Sequence, residues 1–108
     1  MSGRLPTGLL VGALRRRVGE AGGMATILAR GDEQAGAILV VGLDRGANPR
    51  IWERGIGPDG RVALIESTPA SDPDGYWQRR RARDPDLWVV ELDIPAAERF
   101  AAETLTHD

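Results

Sequence analysis

Residues 76–93 read YWQRRRARDPDLWVVELD, and this stretch predicts a helix that passes directly into a buried strand. The helix is expected over 73–83, because a serine and an aspartate that can cap its first turn come just before Pro73. It ends before Pro85, since proline disfavours the helical conformation in the residue that precedes it. The strand follows over 87–92, where both alternating sets of residues are apolar, which indicates a strand covered on both faces.

The chain before this unit predicts a first helix and four strands. Apolar residues recur at helical spacing over 8–21, so a helix is expected there, with Thr7 as its N-cap. Short apolar runs separated by turn-forming residues predict the strands, which are expected over 24–30, 37–43, 50–56 and 61–66. The first two strands flank a polar loop with glycine at both ends and are therefore interpreted as a hairpin.

The predicted fold class is α+β, in a single domain over 1–108 with a frayed N-terminus and C-terminal tail. It comprises an N-terminal helix, a mostly antiparallel meander of four strands, an arginine-rich second helix and a fifth strand. A short terminal helix is expected over 96–104, with Phe100 and Leu105 as anchors. Strands that are apolar on both sides need cover on both faces of the sheet. Either a homodimer or a C-terminal segment that folds back would supply that cover.

The composition excludes several kinds of site. The chain of 108 residues has no cysteine and no lysine, and its one histidine is His107. These absences exclude thiolate chemistry, Schiff-base and P-loop lysines, and a catalytic or ordinary zinc site built around histidine. No catalytic, cofactor-binding or metal-binding residue is therefore assigned. The apolar run over 9–14 is too short to span a membrane, and the absence of cysteine favours a cytoplasmic location.

An arginine-rich segment is the main candidate surface for a partner. The formal net charge is −2, which argues against a general coat for nucleic acid. The second helix nevertheless combines arginines with tryptophan, a pattern that joins phosphate contacts to base stacking. Trp52 lies on a strand with alternating charges and is expected to be exposed at an interface. The candidate residues for a protein or nucleic-acid surface are Trp52, Trp77, Arg79, Arg80, Arg81 and Arg83.

The competing interpretation of the second helix is structural. In that interpretation Trp77 packs into the core and the arginines over 79–83 form a solvated face. A second arginine run at 15–17 allows the two hypotheses to be separated, because convergence of both runs on one open face would favour nucleic acid.

Carboxylates concentrate around the end of the second helix. Asp84, Asp86 and Glu91 form a candidate site for a divalent metal ion, which makes a carboxylate-metal enzyme a weaker alternative function. In the structural interpretation, the two aspartates turn the chain from helix to strand and Glu91 pairs with an arginine. The residues of this helix-strand joint are Asp84, Pro85, Asp86 and Trp88.

Three segments carry a resemblance to a known family. They are LLVGALRR at 9–16, RGD at 30–32 with AGAILV at 35–40, and RRRARDPDLWVVE at 79–91. Together they resemble an uncharacterised family of small alphaproteobacterial proteins that is defined only as a domain of unknown function. The resemblance implies a bacterial cytoplasmic protein and adds no catalytic residue.

The leading hypothesis for function is a small, non-enzymatic cytoplasmic module that binds an unknown protein partner, with a homodimer as one form of that interaction. The alternative is an accessory protein that binds RNA or another nucleic acid through the 79–83 helix. No cofactor and no membrane association are expected in either case.

Overall fold

The computed structural model describes residues 5–106, in which three helices pack on one five-stranded sheet. The helices are α1 (Thr7–Glu20), α2 (Pro73–Arg83) and α3 (Ala97–Leu105). The strands are β1 (Met24–Ala29), β2 (Ile38–Asp44), β3 (Ala47–Ile56), β4 (Val62–Glu66) and β5 (Trp88–Asp93). Among the helices over 5–106, none has the length and apolarity that crossing a membrane requires.

Strand β5 lies inside the sheet, between β1 and β2. The strand order is β1-β5-β2-β3-β4, in which β5 is parallel to β2 and antiparallel to β1. The α+β class with mostly antiparallel pairing is confirmed, and β2, β3 and β4 form an antiparallel meander. The predicted hairpin of 24–30 with 37–43 is wrong, because β5, whose first residues are buried on both faces, takes the interior position between them.

Alternation along the strands divides the core between the two faces of the sheet. Val40 and Val90 point to the face that α1 and α3 cover. Leu39 and Val89 point to the opposite face, where Tyr76 and its neighbours on α2 pack against them. Both faces are thus covered within one chain. The C-terminal segment folds back to supply part of that cover, which was one of the two predicted alternatives.

The segment 30–37 connects β1 to β2 by crossing the beginning of β5. The amide of Asp32 donates to the carbonyl oxygen of Asp86 over 3.0 Å, and the amide of Trp88 donates to the carbonyl oxygen of Ala37 over 2.9 Å. The indole N–H of Trp88 donates to the carbonyl oxygen of Asp32 over 2.7 Å. Gly36 approaches the Asp86 carbonyl so closely that a Cβ would lie 2.2 Å from its oxygen. The crossing therefore requires a residue without a side chain at this point.

Helix α1 begins against the same segment. The amides of Thr7 and Gly8 donate to its carbonyl oxygens over 3.2 and 2.9 Å, and the Thr7 hydroxyl donates to the carbonyl oxygen of Gly36 over 2.8 Å. The prediction of Thr7 as N-cap is wrong, because Pro6 occupies that position and the buried Thr7 side chain bonds to the segment instead. The 30–37 segment thus joins the first helix, two strands and the start of β5.

The ends of the other elements follow signals in the sequence. Asp72 caps α2, since its carboxylate accepts a hydrogen bond from the amide of Gly75 over 3.1 Å. Gly22 follows α1 with φ of 90°, a left-handed conformation that glycine adopts without strain. Leu105 at the end of α3 is buried, as an anchor should be. The predicted fraying of the first residues and the tail that carries His107 lie outside the described residues.

Replacing Gly36 with alanine is expected to lower the free energy of unfolding by about 1–3 kcal/mol, the usual cost of forcing an extra group into a packed site. The new methyl group would meet backbone atoms of Asp86 and Asp32, which cannot swing aside as a side chain does. Urea unfolding followed by tryptophan fluorescence measures the change.

The matched control is Gly19→Ala on α1. Gly19 is exposed, and nothing lies within 4 Å of a Cβ built on it. This substitution is expected to raise the free energy of unfolding by about 0.5–1 kcal/mol, because alanine loses less backbone entropy in a helix. Equal stabilities for the two variants would show that the close approach of Gly36 to Asp86 does not constrain the fold.

Candidate functional site

The predicted arginine surface on α2 is largely engaged within the protein. Arg80 forms a bidentate ion pair with Glu53 of β3, in which Nη2 donates to Oε1 over 2.7 Å and Nη1 donates to Oε2. The Tyr76 hydroxyl accepts a further bond from Arg80 over 3.2 Å. The guanidinium of Arg80 bonds to the Glu53 carboxylate and lowers its pKa, against the opposing effect of burial. Because α2 has no fully buried residue, this pair is a principal attachment of the helix to the sheet.

Two other arginines of the helix also make contacts within the chain. Arg81 donates from Nη2 to the carbonyl oxygen of Arg30 over 2.9 Å, and Arg79 lies 3.9 Å from the carboxylate of Asp72. Arg79 and Arg83 are exposed, whereas Arg80 and Arg81 are partly buried. Only part of the arginine run is therefore presented to solvent.

The arginines at 15–17 lie across the sheet from those of α2. Arg17 bonds to α3, where it donates to the carboxylate of Glu103 over 2.6 Å and to the Thr104 hydroxyl over 2.7 Å. Helices α1 and α3 cover one face of the sheet and α2 covers the other. The two arginine runs therefore do not converge on one surface.

The predicted exposure of Trp52 is wrong. Its side chain is only 3% exposed, because it points to the face covered by α3. The ring lies over Gly42, where a Cβ would come within 2.4 Å of it, and the Arg50 guanidinium lies 4.9 Å from a ring centroid on this side chain. Trp77 is half-buried against the opposite face, and its indole donates to Asp74 over 3.2 Å. Neither indole is an open stacking platform.

The candidate carboxylates form no metal site over residues 5–106, where no group of three or more potential ligands comes together. Asp84 accepts a hydrogen bond from the amide of Asp86 over 3.2 Å and so shapes the turn from α2 into β5. None of the ion pairs between described residues includes Glu91, so its predicted pairing with an arginine is wrong. Burial raises the pKa of Glu91, and the nearby carboxylates Asp74 and Asp93 raise it further.

The outer edge of β4 is a surface that sequence reasoning did not single out. At one end of the strand the Gly57 amide donates to the Arg61 carbonyl, and at the other the Ser67 amide donates to the Ile51 carbonyl, each over 2.8 Å. Both pairs continue the register of the β3–β4 ladder, in which hydrogen-bonded and non-hydrogen-bonded pairs alternate. The odd-numbered residues of β4 are therefore the ones whose backbone groups bond to β3. The outward N–H and C=O groups, on the side where no described strand lies, belong to Val62, Leu64 and Glu66.

The side chains of β4 do not protect this edge. Residues 62–65 carry no charge, and Ile65 is 43% exposed. Ile56, at the end of the paired strand, is 66% exposed. Edge strands commonly carry charges, a proline or a bulge that prevents pairing with another chain. The opposite edge, β1, has such an irregularity between Ile27 and Ala29, whereas the β3–β4 ladder runs without one.

Comparison with known proteins identifies the family. The family model described as a protein of unknown function, DUF1491, matches residues 5–102. The chain belongs to the DUF1491 family. The resemblance predicted from the three sequence segments is thus confirmed, and the family description names no function. No curated protein matches the chain.

Solved structures with this fold include members of the same family. The crystal structure of a DUF1491 family protein from Caulobacter crescentus CB15 is 36% identical with a TM-score of 0.79, over 90% of this chain and 94% of that one. The solution structure of a protein from A. tumefaciens is 25% identical with a TM-score of 0.75, over 97% of this chain and 98% of that one. The fold of this DUF1491 chain is therefore shared along almost its whole length.

The two half-buried strand carboxylates are expected to respond oppositely to the same substitution. Glu53→Gln should lower the free energy of unfolding at neutral pH by about 1–3 kcal/mol, because it leaves the partly buried Arg80 without its charged partner. Glu91→Gln should raise the free energy of unfolding, because it removes a partly buried negative charge that lies near two other carboxylates. Urea unfolding of both variants beside the parent measures the two changes.

The pH dependence provides the control. The pKa of Glu53 is lowered in the folded protein, so its stabilising contribution is complete above the ordinary glutamate pKa of about 4.3 and is lost as the pH falls through the lowered value. The pKa of Glu91 is raised, so its cost is present at neutral pH and is relieved as the pH falls through the raised value. Changes of the same sign at both positions would contradict the assigned environments.

Proposed function

We propose that this DUF1491 protein is a small, non-enzymatic cytoplasmic interaction module that binds an extended segment of polypeptide along the outer edge of β4. The observation that carries the proposal is the row of outward backbone groups on Val62, Leu64 and Glu66, on an edge with no charge over 62–65. In strand addition of this kind, main-chain hydrogen bonds supply the affinity and alternate side chains supply the specificity.

Side chains around the edge suit such a partner. Ile65 projects from the face that α2 covers and touches the position of Gly55, where a Cβ would lie 3.2 Å from its Cδ1. Ile65 is 43% exposed, so a large part of its side chain is available to an added strand. An added strand would cover this apolar surface and place its own alternate side chains beside Ala63 and Ile65.

The nucleic-acid alternative draws less support from the geometry. Arg80 is paired with Glu53, Arg81 bonds to a backbone carbonyl, and the arginines at 15–17 lie on the other side of the sheet. The exposed arginines Arg79 and Arg83 remain as the residues through which nucleic acid would bind. That hypothesis requires salt-dependent RNA binding that weakens when both become glutamine.

Photo-crosslinking in cells tests the interaction surface. With benzoylphenylalanine at position 65, illumination is expected to join the protein to a polypeptide partner, detected as a covalent adduct on a denaturing gel. The same group at position 15, an exposed site on α1, is the matched control and should give no equivalent adduct.

A second substitution connects the adduct to the backbone edge. Val62→Pro removes one outward N–H and leaves the odd-numbered bonds to β3 intact, so the adduct from position 65 should be lost. Val62→Ala keeps that N–H and should keep the adduct. Equal adduct yields from positions 65 and 15, or from the two Val62 variants, would contradict strand addition at β4.

A further inference from the structure

We infer that the polypeptide which adds to β4 is a second copy of this chain, paired antiparallel about a two-fold axis at Leu64. The inference rests on the proposed function, because it identifies the occupant of the same edge. It joins two five-stranded sheets into one continuous sheet through their β4 strands.

The backbone register of β4 allows a fully hydrogen-bonded pair of two copies. Only Val62, Leu64 and Glu66 direct their N–H and C=O groups outward, so a second β4 must match even-numbered residues with even-numbered residues. Centring the pair on Leu64 places Leu64 opposite its own copy and Val62 opposite Glu66. Each of these matched pairs exchanges two hydrogen bonds, so this register uses every outward backbone group of both strands.

Pairing in this register produces a dimer with closed two-fold symmetry. Residues of the same parity point to the same face of a strand, so the face covered by α1 and α3 in one copy continues into the same face of the other. The relation between the copies is therefore a two-fold axis normal to the sheet, and the contact surface is the same on both. An interface of this kind closes as a dimer and leaves no second β4 edge free for further growth.

The side chains are complementary in the same arrangement. Ala63 of one copy stands opposite Ile65 of the other, at a position where antiparallel side chains approach most closely. The exposed isoleucine thus packs over the small alanine, and the pairing occurs twice.

The other edge of the sheet does not offer the same match. The ladder of β1 shifts its register between Ile27 and Ala29, and a bulge of this kind twists an edge strand away from regular pairing. Because the β3–β4 ladder has no such shift, β4 is the edge that we assign to pairing.

Residue-resolved hydrogen exchange of the purified full chain tests the inference without any substitution. In a monomer the amides of Val62, Leu64 and Glu66 exchange rapidly, whereas those of Ala63 and Ile65 are protected by β3. In the dimer all five are protected. The expected result is that protection of the even-numbered amides rises with protein concentration while the molar mass from light scattering approaches twice that of one chain. A monomer mass with unprotected even-numbered amides at every concentration overturns the inference.

The Val62 variants supply the second measurement. Val62→Pro removes one inter-copy hydrogen bond from each strand and is expected to raise the dimer dissociation constant by at least about tenfold, whereas Val62→Ala keeps those bonds. Both variants are first shown to unfold cooperatively. Equal dissociation constants for these two variants overturn the assignment to β4.

The outcome also separates the inference from the proposed function. An adduct from position 65 whose mass spectrum contains only peptides of this chain supports the second copy. An adduct with a different protein, from a chain that is monomeric in solution, overturns the inference and leaves the interaction module standing. No adduct from position 65, together with a monomer mass, overturns both.

Discussion

The close packing of the 30–37 segment on the first residues of β5 is the constraint on which the rest of the structure depends. The segment has to pass from β1 to β2 across an intervening strand, and it does so with Gly36 against the Asp86 carbonyl oxygen. Hydrogen bonds from Asp32 and Trp88 hold the crossing in place. The start of α1 bonds to the same segment through Thr7. Two of the segments on which the family resemblance was predicted, RGD with AGAILV and the DPDLW part of the third, therefore meet at one structural joint.

This joint determines where the open edges lie. Because β5 is held between β1 and β2, the strand that follows the arginine-rich helix is interior, and β1 and β4 become the two edges. Helix α2 is then attached to one face largely through the Arg80–Glu53 pair and the half-buried rings of Tyr76 and Trp77. Its arginines contribute to that attachment. The arginines and aromatic residues that first suggested a nucleic-acid surface are therefore explained in part by packing within the chain. The surface proposed for a partner is a backbone edge, which carries no conspicuous residue type.

The local elements were predictable because their signals are local. The capping aspartate and prolines placed α2 and the start of β5, and glycines placed the end of α1. The order of the strands could not be predicted in the same way. A parallel pair such as β2 with β5 joins segments that are far apart in the chain and have no short turn between them. The hairpin predicted for β1 and β2 failed for that reason. Antiparallel pairs with short turns, such as β3 with β4, were placed correctly.

The candidate site was harder to predict from the sequence than the fold. Trp52 sits among charged residues in the sequence, and its burial depends on which face α3 covers. Arg80 finds its partner Glu53 on another element, a contact that no helical spacing indicates. The uncharged run at 62–65 was visible as a strand, but only the strand order shows that it ends the sheet. Edges, faces and long-range ion pairs are properties of the assembled chain.

The central claim is that β4 is a pairing edge whose occupant is a second copy. An isotope-filtered NMR experiment on a mixture of labelled and unlabelled protein tests it most directly, because it detects only contacts between different copies. The account predicts intermolecular contacts between the methyl groups of Ala63 and Ile65, which stand opposite each other in the register centred on Leu64. Intermolecular contacts confined to β1 or α2, or none at concentrations where the parent chain is fully folded, would contradict it.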